Sequence, residues 1–182
     1  MGSLGRDAPL EEVLVGGLER RRIVIVDYDP RWADRYGQER KRVGTALGSA
    51  ALQIEHIGST AVPGLAAKPI VDLLVIQDDA ADEKATTAAL AQAGYELRVR
   101  EPGHLMFRTP ARDVHVHVRQ ESDPEIARHL AFRERLRTSA ADRDAYERLK
   151  RELATRDWPD MNAYADAKGC LIEEILRHAA EG

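Results

Sequence analysis

The chain has 182 residues and a formal net charge of −4, which excludes a generally basic protein that coats nucleic acid and leaves room only for a local basic site. Hydrophobic residues make up 43% and charged residues 32%, enough for one packed domain with a solvated surface. No apolar run approaches bilayer-spanning length, so no membrane partner is expected.

Residues 1 to 21 read as a peripheral segment. A short helix is expected over 9–14, broken by Gly16-Gly17, and Arg20-Arg21-Arg22 forms a basic cluster. Ile23-Val24-Ile25-Val26 reads as a β-strand. Asp29-Pro30 then predicts an N-cap with proline at the first helical position. Trp32, Tyr36, Val43 and Leu47 recur at helical spacing up to Gly48.

A strand through Leu52 and Ile54 and a second over 69–76 flank the most informative stretch, Glu55 to Asp72. Its centre, Gly58-Ser59-Thr60-Ala61-Val62-Pro63-Gly64, is built of small residues, hydroxyls and turn formers. Such a loop lets backbone approach a ligand closely and offers N–H groups to an anion. Lys68 adds a positive charge. Asp72 lies in an apolar strand, where a carboxylate is costly without a partner. A phosphate loop followed by an acid for a metal or a proton is the expectation, against a tight turn with a salt-bridged aspartate. His56 follows Glu55 directly, so on a strand the two point to opposite faces and only one can reach a common site.

Asp78 or Asp79 is expected to cap an alanine-rich helix that closes at Gly94. Residues 95 to 119 read as three short strands in an antiparallel meander, punctuated by Pro102-Gly103 and Pro110-Ala111-Arg112. In the third, Val114, Val116 and Val118 share one face while Asp113, His115, His117 and Arg119 share the other. On the middle strand His104, Met106 and Arg108 alternate with Leu105 and Phe107.

Ser122-Asp123-Pro124-Glu125 reads as a capping box. Along the helix after it, His129, Arg133 and Arg137 line one face. A second helix carries Tyr146, Leu149, Lys150 and Leu153, and a last one runs from Tyr164 past Lys168 to Leu176. Lys168 falls on the apolar stripe, where a lysine ordinarily snorkels to water. The single cysteine, Cys170, lies among Leu171, Ile172 and Ile175 and reads as a small buried hydrophobe. With no internal disulfide possible and no signal peptide, a cytoplasmic location is expected.

The run Glu55-His56-Ile57-Gly58-Ser59-Thr60-Ala61-Val62-Pro63-Gly64-Leu65, followed by Lys68-Pro69 and Asp72, resembles the signature of the GrpB family. Further matches are Tyr28-Asp29-Pro30 with Trp32, the His115-x-His117 strand, Phe132-Arg133 with Leu136-Arg137, Tyr146 with Lys150, and Tyr164 with Lys168. The resemblance spans roughly residues 22 to 178. It implies an α/β (α+β) polymerase-β-like nucleotidyltransferase fold: a mixed or antiparallel sheet, helices on one face, and a C-terminal helical segment. Residues 22–121 would form the core and 122–182 the helical segment of a single domain. In that superfold a Gly-Ser turn holds nucleotide phosphates, here Gly58 and Ser59, and acids on following strands hold divalent metal, here Asp72 first. The second acid, expected two residues on, is replaced by Leu74, and the later strand offers His115 and His117 instead.

The residues and the resemblance together suggest a nucleoside triphosphate bound by Gly58, Ser59, Thr60 and Lys68 with Arg108, Arg133 and Arg137. A cation, Mg²⁺ or Mn²⁺, would sit on Asp72 with Glu55 or His115, and His115 or His117 would serve catalysis. His56, Lys150 and Lys168 are further candidates. The reaction would be nucleotidyl or phosphoryl transfer, or ATP-dependent acyl activation, on a small anionic metabolite. The competing expectation is a non-catalytic accessory domain that has a protein partner, for instance one supporting a coenzyme-A pathway enzyme; nucleic acid is the weakest expectation.

Overall fold

The computed structural model describes residues 13 to 181. The elements are helix α1 (Arg31–Leu47), strands β1 (Gln53–Ile57) and β2 (Val71–Gln77), helix α2 (Glu83–Gln92), strands β3 (Glu96–Glu101), β4 (His104–Arg108) and β5 (Val114–Gln120), and helices α3 (Glu125–Thr138), α4 (Ala140–Ala154), α5 (Met161–Asp166) and α6 (Gly169–Glu181). They form a five-stranded mixed sheet in the order β1-β2-β5-β4-β3. The β3–β5 meander is antiparallel, β1 runs antiparallel to β2, and β2 and β5 pair in parallel at the centre.

The period-2 alternation divides the sheet into two chemically distinct faces. One carries Leu73, Val75, Leu105, Phe107, Val114, Val116 and Val118. It packs on Trp32, Val43 and Leu47 of α1 and on Leu90 of α2 as the main core. The other carries Asp72, His115, His117, His104 and Arg108 in register. Towards β1 this second face is sealed by an apolar cluster, Ile57, Leu74 and Ile76 under Ile126 and Leu130 of α3. Elsewhere it is left open as the floor of a cavity.

Several local expectations are corrected. Ile23–Val26 is not a sheet strand: Val26 exchanges backbone hydrogen bonds of 2.9 Å with Ala67 alone. Its neighbours Ile23 and Ile25 instead pack against Leu149, Leu153 and Tyr164 of the C-terminal helices. The cap of α2 is Asp82, whose carboxylate accepts from Lys84 N–H; Asp78 and Asp79 hold turn and loop N–H groups. The N-cap of α3 is Pro124, and the first helical N–H, that of Glu125, is taken by the Asp123 carboxylate at 2.9 Å rather than by Ser122. The last helix is broken in two at Ala167-Lys168. Cys170 is exposed, because it lies outside the Ile172/Ile175 stripe of α6.

The helix expected over 9–14 lies for the most part outside the described residues. The segment after it is more than peripheral. Leu14 bridges to Val99 at the sheet edge, and the Arg98 guanidinium donates to the carbonyls of Val15 and Gly17. Glu19 and Arg21 thereby come to wall the cavity.

Candidate active site

A cavity of about 280 Å³ lies over the polar face of the sheet, between the strands and helices α3 to α5 with Lys168. The Gly58-Ser59 turn enters it from the end of β1. Gly58 adopts φ 72°, and a Cβ there would lie 2.5 Å from Asp72 Oδ2. Only glycine therefore lets the turn close over the carboxylate. Asp72 itself is flanked on β5, with His115 Nδ1 at 3.2 Å and His117 Nε2 at 3.8 Å from Oδ1. Burial opposes its ionisation, but the two imidazoles prevail and hold it well below the ordinary carboxylate range. Burial also pushes His117 down to about 4, so its ring is neutral.

Lysines from the C-terminal half of the chain enter the same cavity. Lys150 Nζ donates to Ser59 Oγ at 3.0 Å and to the Ala66 carbonyl at 2.5 Å. Lys168 Nζ lies 4.1 Å from the centre of the Tyr164 ring and Lys68 Nζ 5.2 Å from it. Lys150 and Lys168 are 3% and 6% exposed, and neither has an ion-pair partner among the described residues. Burial, with repulsion from the neighbouring cations, pushes each down to about 7. Lys168 thus turns inward rather than snorkelling. The break before α6 places it at the helix start, one turn after Tyr164.

Other expected ligands are engaged elsewhere. Strand β1 continues to Ile57, so Glu55 and His56 point to opposite faces. Glu55 shares the face of Asp72 but accepts from Arg133 at 2.7 Å and from Gln53, and does not join the Asp72 group. His56 stacks on Tyr36 behind the sheet and donates to Thr60 Oγ1, whose own proton goes to the Ile70 carbonyl. Thr60 is accordingly buried in a structural network. Arg133 also donates to the His56 carbonyl, and Arg137 donates two bonds to the Ala61 carbonyl. These two arginines clamp the loop from outside instead of offering free guanidinium groups. Arg108 lines the cavity, paired with Glu19 at 2.8 Å.

Three contributors escaped the sequence reading as site residues: His104, His129 and Arg21. His104 Nε2 is 3.2 Å from His117 Nδ1 and its Nδ1 is 2.9 Å from Glu101. The His129 ring lies beside His117 and is pushed down to about 2 by burial. The alternation of β4 already puts His104 on the face of His117, which was the available signal.

The GrpB protein family model matches residues 22–178. The chain belongs to the GrpB family. It is 51% identical to a UPF0157 protein of Streptomyces coelicolor over 166 residues, 91% of this chain and 89% of that one. Its fold is similar to the crystal structure of the conserved protein GrpB from Enterococcus faecalis, with TM-score 0.78 and 34% identity over 87% of this chain and 98% of that one. It is also similar in fold to the Cid1 poly(U) polymerase with Mg 3′-dATP bound, with TM-score 0.54 and 12% identity over 79% of this chain and 49% of that one. The GrpB chain therefore has a nucleotidyltransferase-like fold. No described helix is long and apolar enough to cross a membrane.

The superfold's paired carboxylates have no counterpart beside Asp72. Leu74 is fully buried under α3, so a second cation has neither ligand nor room there. Among the described residues, Asp72, His115 and His117 are the His, Cys or acidic side chains whose ligand atoms converge, all within 4.8 Å of one another. That set suits one cation and not a bridged pair.

Proposed function

We propose that this GrpB chain is a nucleotidyltransferase-like enzyme that binds a nucleoside triphosphate and activates a small anionic acceptor. The observation that carries the reading is the pair of buried lysines without counter-ions, Lys150 on Ser59 and Lys168 over the Tyr164 ring beside Lys68, all three lining one cavity. Unpaired buried ammonium groups are costly, and a polyphosphate is the ligand that would neutralise several at once. In this reading Ser59 and the Gly58 turn orient the phosphates, and the three lysines oppose the charge that builds on the leaving pyrophosphate. Arg21, near enough to Lys68 to lower its pKa, and Arg108, now paired with Glu19, line the same cavity and would receive the acceptor's anionic group.

A carboxylate acceptor needs no base. Its oxygen attacks the α-phosphorus, the bond to the bridging oxygen breaks, and pyrophosphate leaves with that electron pair, giving an acyl nucleotide. A divalent cation held by Asp72 and its neighbouring histidines would screen phosphate charge when bound. Such an enzyme would work in the cytoplasm, where nucleoside triphosphates are.

Calorimetry with ATP, GTP, CTP and UTP, each with and without Mg²⁺ or Mn²⁺, tests this. Binding of at least one triphosphate is expected, weakened at least about tenfold by Lys150→Met. Absence of binding to all four would sink the reading. Leu74 supports the competing reading of a non-catalytic accessory domain. That reading expects a stable protein partner whose capture is indifferent to Asp72→Asn.

A further inference from the structure

We propose that Asp72, His115 and His117 form a site for a single first-row transition-metal dication of the Zn²⁺, Fe²⁺ or Mn²⁺ class, held in preference to Mg²⁺. The inference rests on the transferase reading for its chemical role, but its geometry stands alone.

Two imidazoles and one carboxylate with an open side make a donor set that magnesium avoids and borderline metals favour. The spacing fits as well. Ligand atoms about 2.0–2.1 Å from a tetrahedral metal lie roughly 3.3 Å apart. The observed separations from Asp72 Oδ1 are 3.2 Å to His115 Nδ1 and 3.8 Å to His117 Nε2. Little movement is needed to seat an ion. Gly58 leaves clear the space beside Oδ2 that a Cβ would fill.

The second observation is the proton order behind His117. The Glu101 carboxylate lies 2.9 Å from His104 Nδ1, which donates to it in the tautomer that completes the chain. His104 Nε2 then carries a lone pair and accepts from His117 Nδ1 at 3.2 Å. That turns the other ring nitrogen, His117 Nε2, towards the Asp72 carboxylate at 3.8 Å, too long for a good hydrogen bond between them. A cation between the two atoms would close that gap. A carboxylate–imidazole chain behind a ligating histidine is the usual device for fixing its tautomer. The cation is limited to one because Leu74, opposite His117, is packed under Ile126 and Leu130.

The test uses the full chain stripped with a chelator. Co²⁺, a spectroscopic stand-in for Zn²⁺, is titrated by visible absorption, and Mg²⁺ by calorimetry, each with and without ATP. One Co²⁺ per chain with tetrahedral or five-coordinate d–d bands is expected, bound at least about 100-fold more tightly than Mg²⁺. His117→Ala should abolish the bands. Glu101→Gln, which keeps the shape of the chain behind His117, should weaken Co²⁺ about 10- to 100-fold. His104→Gln with an unchanged circular dichroism spectrum should do the same. ATP binding without any Co²⁺ bands would overturn the metal inference and leave the transferase reading intact; Co²⁺ bands without triphosphate binding would do the reverse. Equal affinity for Mg²⁺, or bands indifferent to both Glu101→Gln and a folded His104→Gln, would also overturn it.

Discussion

Replacing Lys168 by methionine should make the ligand-free protein more stable while weakening its hold on a polyphosphate. The side chain is 6% exposed, and its pKa falls from 10.5 to about 7. At about 1.36 kcal/mol per tenfold change in ionisation, holding the charged form in the fold costs about 5 kcal/mol. Against that cost stands the cation–π contact with Tyr164, whose loss in the variant gives back about 1–2 kcal/mol. Methionine keeps the stem's packing, so a net gain of about 3–4 kcal/mol is expected near pH 6. The unfolded chain keeps this proton up to about pH 10.5, whereas the folded chain releases it near pH 7. The unfolded state therefore binds more protons between those values, and wild-type stability rises with pH across the window. The gap between variant and wild type should be widest below pH 7 and close towards pH 10. Urea denaturation from pH 6 to pH 10 reads it directly. A variant that is less stable at pH 6, or a gap that does not change with pH, would refute the idea of an unpaired buried ammonium kept for a ligand.

The same lysines make triphosphate binding a proton-linked event. With Lys150 and Lys168 both near 7 when free, an anion should raise both, so binding at pH 8 should take up one to two protons, measured by calorimetry in buffers of different ionisation enthalpy. Affinity should fall as pH rises above 7, with a slope in log affinity approaching the number of protons taken up. Gly58→Ala should cost about 1–3 kcal/mol in urea denaturation, because φ 72° is strained for alanine and its Cβ would press on Asp72 at 2.5 Å. It should also weaken any ligand of Asp72. Leu74→Asp should not create a second cation site. It should destabilise by about 3 kcal/mol or more, since it places a carboxylate against Ile57, Ile126 and Leu130; an equally stable variant with a second bound cation would show that α3 does not seal that position.

How far the site was legible depended on whether its signals were local. Alternation along β5 put His115 and His117 on one face and the valines on the other, because a strand's period is fixed by the backbone. The structure places them so, with Asp72 beside them in register. Ile23–Val26 looked like a strand for the same local reason. Its partner is a single residue across the chain, and its apolar side chains are satisfied by a contact with α4 and α5 that no window of sequence contains. Arg133 and Arg137 have the right charge for phosphate. Which anions or carbonyls a guanidinium finds is a matter of tertiary placement, and theirs are Glu55, His56 and Ala61.

Lys168 and Leu74 carry the more general point. Each breaks a local rule, one by putting a charge on an apolar stripe, the other by putting an apolar residue where the superfold has an acid. Rule-breaking of the first kind leaves an unmet electrostatic need in the apo fold, since burial has stripped the ammonium of water without giving it a carboxylate. Rule-breaking of the second kind leaves no need at all, because Leu74 is satisfied by Ile126 and Leu130. The unmet need is the better guide to function. It directs attention away from a second metal and towards an anion over Ser59, with the lone carboxylate of Asp72 and its two imidazoles directly beside the Gly58-Ser59 turn.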